Sequence, residues 1–350
     1  MQVCGHTAFV PSRAALARDL RLMNIPFLDL RERHFRIPGP RPLMNLFLRY
    51  LPAMPTPAGP PRIVLYVHGA TFPSALSIAH RFDGRSWRDE LNAAGFDVWG
   101  LDFYGFGFSD RYPEMDMPAE SNLPLCDCEE AEQQLRCGVQ FILAHHAAPR
   151  LSLIAHSWGS MPACRLAGAD PTLVDRLVLF GPIARRAPRR YETAPTAPAW
   201  GIVTVANQWE RFVEDVPSNA PPPMAQAHFD DWSEHYLDSD PYGRTRHPAG
   251  VKVPKGPIND ILRAWHGQLG YNPALVRAPV ALIRGEWDGL IPDQDARLLF
   301  DEFIASPIKR DIKISGATHL MHLEATRFAL YRESICFLLD ADLPPGIRAE

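Results

Sequence analysis

Ser157 stands in Ala155-His156-Ser157-Trp158-Gly159, directly after the apolar run Leu151–Ile154 and directly before a segment, Trp158 to Leu166, that reads as a helix. A serine at a sharp strand-to-helix turn is exposed for nucleophilic attack, provided the residues two before and two after are small; Ala155 and Gly159 meet that need. A serine hydroxyl is a weak nucleophile at neutral pH and requires a base for its proton. His319, in the loop Ser315-Gly316-Ala317-Thr318-His319, is the candidate base, with His322 as its competitor at the expected start of the last helix. The base needs a carboxylate to hold its tautomer and balance its charge. Asp288 in Gly285-Glu286-Trp287-Asp288-Gly289 fits, with Glu286 as the alternative, whereas Gly181-Pro182-Ile183 after Phe180 offers no acid. Charge developing on a substrate oxygen would meet the backbone N–H groups of Trp158 and Ala70, the latter in His68-Gly69-Ala70-Thr71. His68 is expected to shape that loop, His156 to pack against a sheet, and His145-His146 to end a helix, where imidazolium favours the dipole.

These residues need a frame that brings distant loops to one edge. Two β-favouring stretches, DLRERHFRI and LMNLFLRYL, flank Pro-Gly-Pro between Phe27 and Leu51 and predict an opening strand pair. Ile63–Val67 is a continuous apolar run, as in a strand covered on both faces. Helix and strand then alternate: helix Ser86–Ala94, strand Phe96–Leu101, helix Glu129–His146, strand Leu151–Ala155 and strand Leu177–Phe180. The alternation resumes with strand Val280–Ile283, helix Gln294–Phe303, strand Asp311–Ile314 and helix Leu323–Leu339. This pattern predicts an α/β fold with a mostly parallel sheet and helices on both faces.

Between Gly181 and Pro279 the alternation lapses for a stretch too long for an ordinary loop and rich in proline and aromatic residues. Prolines outnumber glycines 35 to 23 and many lie between positions 182 and 257, which predicts irregular, rigid structure there. Trp200, Trp209, Phe212, Phe229, Trp232, Tyr236 and Trp265 exceed what so small a unit buries within itself, so some should face the carboxyl edge of the sheet. Arg185, Arg186, Arg189 and Arg190 open the segment and read as a solvated face in preference to an anion site.

The 350 residues carry a formal charge of −4, with 46% hydrophobic and 22% charged residues, ordinary for a folded globular protein. No sequence-wide basic field exists to hold a polyanion, which argues against nucleic acid. The six cysteines lack a secretory spacing and read as reduced, and Cys126-Asp127-Cys128 reads as a surface loop, since no second ligand pair accompanies it. Neither a basic-then-apolar leader nor 18 uninterrupted apolar residues is found, so a cytoplasmic location away from membranes is expected.

HGAT, LDFYGFGFSD, AHSWGS, GEWDGLIP and GATHLMHLE together resemble the oxyanion loop, post-strand turn, nucleophile elbow, acid loop and histidine loop of the α/β-hydrolase superfamily, in that order, over roughly residues 60–340. The resemblance implies the α/β-hydrolase fold, a mostly parallel sheet of about eight strands with an inserted cap, the chain order Ser, Asp, His, acyl transfer to water and no cofactor or metal. It divides the chain into core residues 1–183, a cap over 184–276 and core residues 277–350. The expected reaction is cleavage of a carboxylic ester of a small apolar or aromatic substrate. Amidase or aminopeptidase, carbon–carbon hydrolase and acyltransferase reactions on the same three residues are the alternatives. Ser157-Trp158-Gly159-Ser160 is similar to the elbow of proline iminopeptidases, whose oxyanion loop reads His-Gly-Gly-Pro-Gly where this chain has His68-Gly69-Ala70-Thr71-Phe72. The expected partner is a small molecule, with a homodimer left open.

Overall fold

The computed structural model of the protein describes residues 28–54, 59–187 and 196–339. Phe27, Arg189 and Arg190, singled out above, and one of the six cysteines, Cys4, lie outside the described residues. The opening stretches pair as antiparallel strands β1 (Arg33–Pro38) and β2 (Asn45–Leu51), Arg33 opposite Tyr50. β2 continues antiparallel onto β4 (Phe96–Asp102). From there the sheet is parallel through β3 (Arg62–Val67), β5 (Leu151–His156), β6 (Val174–Phe180), β9 (Val280–Gly285) and β10 (Lys309–Ile314). The eight strands run in the order β1-β2-β4-β3-β5-β6-β9-β10.

Alternate residues of each strand serve opposite faces, which is why the central strands carry apolar residues on both. On one face Leu65, Val67, Leu153, Ala155 and Leu179 pack with Leu135 and Val139 of α2 (Cys128–His146), Ala163 and Leu166 of α3 (Ser160–Ala169) and Leu299 of α7 (Asp293–Glu302). On the other, Val64, Tyr66, Ile154, Val178 and Phe180 pack with Trp87 and Leu91 of α1 (Trp87–Ala93) and Leu330 and Phe337 of α8 (Arg327–Leu339). Helix starts follow local chemistry. Ser86 and Asp89 close a reciprocal capping box on α1, and Asp127 accepts the Glu130 N–H to begin α2.

Asp127 therefore explains the polar residue within Cys126-Asp127-Cys128, but both cysteines are buried, so the tripeptide is not the surface loop expected from sequence. Among the described residues all five cysteines are free thiols and no cluster of His, Cys, Asp and Glu is suited to a metal. No helix among them is long and apolar enough to cross a membrane. His146 also departs from expectation. It accepts the Trp99 indole N–H at 3.1 Å, and burial lowers its pKa, so its environment favours neutral imidazole over the imidazolium expected at a helix end.

The stretch between β6 and β9 is more regular than its prolines suggested. β7 (Trp200–Thr204) pairs antiparallel with β8 (Gly250–Pro254), and with this strand pair go α4 (Val205–Val213), α5 (Gln226–Asp238) and α6 (Gly256–Trp265). Its prolines sit where proline is tolerated: Pro254 closes β8 and Pro257 lies in the first turn of α6. Phe212, Phe229, Trp232 and Tyr236 are buried and continuous with the core, Trp232 and Tyr236 stacking with centroids 5.1 Å apart. Trp232 also meets Phe72 edge-on and donates its indole N–H to the Leu76 carbonyl at 2.9 Å, tying the segment to the loop after β3. Arg185 and Arg186 pair with Glu302 and Asp295, and Arg186 lies 4.4 Å over the Trp265 ring.

Candidate active site

Ser157 leaves β5 with φ 53°, left-handed backbone that costs a residue bearing a Cβ. Close packing holds it there. A Cβ on Gly159 would stand 2.4 Å from the His68 carbonyl oxygen, and one on Gly69 3.2 Å from the Ser157 Cβ. The turn after the serine is a short 3-10 segment, Ser157–Gly159, before α3 begins at Ser160, so the regular helix starts later than the sequence suggested.

His319, beyond β10, brings Nε2 to 2.8 Å from the Ser157 hydroxyl and Nδ1 to 3.0 Å from Asp288 Oδ2. A carboxylate only accepts, so the proton on imidazole belongs to Nδ1 and Nε2 is left to accept the serine O–H. Asp288 is further held by the Leu290 N–H on Oδ1 at 3.0 Å. Ser157, Asp288 and His319 are 3%, 4% and 3% exposed, so little solvent screens this chain of hydrogen bonds. Chemically, the arrangement can take a proton from a hydroxyl and stabilise the cation that results.

The competing residues lie elsewhere. Glu286 is at the surface, accepting from the Ser315 hydroxyl and the Gly316 N–H, both at 2.9 Å, so it braces the histidine loop from outside. His322 occupies a buried 3-10 turn, Met321–Leu323, ahead of the last helix and not at its start as expected. Neither of its ring nitrogens has a hydrogen-bond partner among the described residues, and burial followed by the neighbouring His319 holds its pKa well below the ordinary value. His156 stacks on Phe180 of β6 at 4.3 Å and its Nε2–H donates to the His319 carbonyl at 3.1 Å, steadying the backbone of that residue. His68 donates from Nδ1 to the Gly69 carbonyl and accepts the Phe103 N–H at Nε2, which folds the loop after β3. That loop carries Ala70. Both Ala70 and Trp158 are buried, and neither backbone N–H donates to an acceptor among the described residues.

Three supporting residues escaped sequence reasoning. Gly181, with φ 53°, leaves the space that the histidine and its carboxylate fill: a Cβ there would stand 2.8 Å from His319 Nδ1 and 3.1 Å from Asp288 Oδ2. Glu324 accepts the N–H and hydroxyl of Thr318, the residue before His319, and burial pushes its pKa up to about 7. Asp260, on α6 of the inserted stretch, accepts the Trp158 indole N–H at 2.9 Å and the Cys128 N–H at 2.7 Å through one oxygen, and burial likewise raises its pKa to about 7. Only Gly181 left a trace in the sequence, a glycine just after a predicted strand.

The family model of the α/β hydrolase fold matches residues 63–326. The chain belongs to the α/β-hydrolase family. Solved members of similar architecture include a thioesterase domain from the curacin biosynthetic pathway, at 17% identity and TM-score 0.57, covering 88% of this chain and 99% of that one. A carboxylesterase of the thaumarchaeon Nitrososphaera gargenis matches at 12% identity and TM-score 0.56, covering 87% and 98%. A laboratory-evolved potato epoxide hydrolase matches at 14% identity and TM-score 0.56, covering 88% and 99%. Likeness this distant speaks for the fold alone, and these α/β-hydrolases differ in reaction among themselves. No curated protein matches the chain.

Proposed function

We propose that the protein is a serine hydrolase that cleaves a carboxylic ester of a small substrate with an apolar or aromatic body, through an acyl-enzyme on Ser157. The observation that carries the reading is the 2.8 Å contact of His319 Nε2 with the Ser157 hydroxyl, continued from Nδ1 to Asp288. Ser157 Oγ attacks the ester carbonyl carbon while its proton passes to His319 Nε2. The carbonyl electron pair moves onto oxygen, where the N–H groups of Ala70 and Trp158 receive it. Collapse expels the alcohol, which takes the proton from Nε2, and water then repeats the sequence on the acyl-enzyme. Asp288, accepting from Nδ1–H, stabilises the imidazolium. Residues 184–276 act as a cap over this edge, with Trp232 against Phe72 supplying apolar surface near the oxyanion loop.

Labelling with a fluorophosphonate, together with turnover of a panel of esters and a matched anilide, tests the reading. Wild type should label on Ser157 and hydrolyse esters faster than the anilide. Ser157→Ala should lose labelling and lower kcat by roughly 10⁴- to 10⁶-fold with the fold retained. Undiminished turnover by Ser157→Ala, or preference for the anilide, would sink it.

A further inference from the structure

Each of the four segments that carry the site is hydrogen-bonded to the inserted stretch. Thr71, next to Ala70 on the oxyanion loop, accepts at its hydroxyl from Arg211 Nη1. Trp158, next to Ser157, donates its indole N–H to Asp260. Gly289, next to Asp288, donates its N–H to Asp215 Oδ2 at 3.0 Å. Beyond His319, Ala325 donates its N–H to the Pro223 carbonyl at 2.9 Å.

Two of these ties come from a single helix end. Arg211 lies in the last turn of α4, and Asp215 follows two residues after Val213, where that helix stops. The loops they hold leave β3 and β9, and the strand order places β5 and β6 between those two. Neighbouring strands run about 4.8 Å apart, so β3 and β9 end roughly 14 Å from each other. The end of α4 therefore spans the carboxyl end of β5, where Ser157 sits, and grips a loop on either side of it.

Both grips are close and directed. A Cβ on Gly289 would stand 2.5 Å from Asp215 Oδ1, so the bare α-carbon is what lets the carboxylate approach. Arg211 is aimed by a second bond, from Nη1 to Gln208 Oε1 at 3.2 Å, on the same helix. Each tie has one ionised partner, which strengthens it over a neutral hydrogen bond. At the acid loop the two N–H groups after Asp288 go to different carboxylates, Gly289 to Asp215 and Leu290 to Asp288 Oδ1. The turn that sets Asp288 against His319 is thus fixed partly from within and partly from the inserted stretch. Displacing such a loop by about an ångström is enough to cost roughly 100-fold in rate, since acid, base and donors act only when aligned.

Resting on the hydrolase reading above, we propose that Asp215 and Arg211 are positioning residues, which hold the acid loop and the oxyanion loop in register with Ser157. These two residues of the inserted stretch then belong to the frame of the reaction.

Kinetics of the full chain on a small neutral ester, 4-nitrophenyl acetate, test this, with active sites counted by fluorophosphonate titration. Per active site, Asp215→Ala should lower kcat by about 10- to 100-fold and change KM by less than about threefold. Asp215→Asn keeps an acceptor for Gly289 and should restore kcat to within about threefold of wild type. On an Asp288→Asn background the alanine substitution should cost less than about twofold, because Asp215 acts through Asp288. Arg211→Met, Thr71→Val and the double variant should each lower kcat by the same factor, about tenfold, since all three break one contact. A loss from Asp215→Ala that persists in full on the Asp288→Asn background, or vanishes when rates are counted per labelled Ser157, would overturn the role of Asp215. Additive losses from Arg211→Met and Thr71→Val would overturn that of Arg211, and this second cycle decides the matter if Asp215→Ala does not fold. Failure of the hydrolase reading looks different: wild type itself turns over no ester and Ser157 takes no label.

Discussion

The carboxyl edge of the sheet and the stretch inserted between β6 and β9 solve opposite problems. At the sheet edge each of the three polar side chains is buried and partnered, Gly69 and Gly181 leave room beside Ser157 and His319, and Gly159 lets the turn after the serine close on the backbone of Val67 and His68. The inserted stretch is held by bulk, its rings stacked on one another and joined to the core through Phe72 and Leu76. Reaction geometry is thus over-determined in one region, and apolar contact does most of the holding in the other. Chemistry and selectivity should separate under mutation along the same line.

The largest effect expected is at the edge. Asp288→Asn keeps shape but replaces an acceptor with an amide that no longer enforces the Nδ1–H tautomer, so kcat for an ester should fall by roughly 10⁴-fold with little change in the unfolding midpoint. A fall of less than tenfold would mean the edge is not where the reaction is decided.

Asp260 joins the two regions and should show itself through pH. Its folded pKa of about 7 exceeds the ordinary 3.8, so between those values the native state binds more protons than the unfolded chain. The stability it contributes is fully present below about 3.8 and is lost as pH rises through about 7. Asp260→Asn mimics the protonated form and keeps an acceptor for Trp158 and Cys128. Urea unfolding at pH 5 and pH 8 should show wild type losing on the order of 2 kcal/mol relative to the variant. Parallel pH dependence in the two proteins would remove Asp260 from this role.

The smallest effect is expected within the inserted stretch. Trp232→Phe deletes the indole donor and leaves the Leu76 carbonyl without it, at a cost of about 1–2 kcal/mol in urea, while kcat changes less than tenfold. A loss in kcat matching that of Asp288→Asn would erase the distinction between the regions.

Legibility in the sequence follows the same division. Central strands such as Leu151–His156 carry apolar residues on both faces, so their existence follows from runs of such residues alternating with helical segments, and loops at their carboxyl ends share an edge. That is why Ser157, Asp288 and His319 could be singled out as a group before any coordinates. The pairing of β7 with β8 was hidden because the strands are far apart in the chain and short, and include Gly201, Gly250 and Lys252. Asp260 and Glu324 were hidden for another reason. Each is an ordinary acidic residue of a helix or helix approach until packing shows whose N–H it accepts. His146 and Cys126 were misjudged because burial, not local pattern, decided their environment.

The bare α-carbon at 181 limits where this chain can carry its acid. An acid placed there would have to occupy the volume that the ring of His319 and the carboxylate of Asp288 already fill, on a backbone left-handed at that point. Relocating the acid to 181 is therefore closed to a single substitution, since an aspartate there would need both the carboxylate at 288 and the ring at 319 to shift.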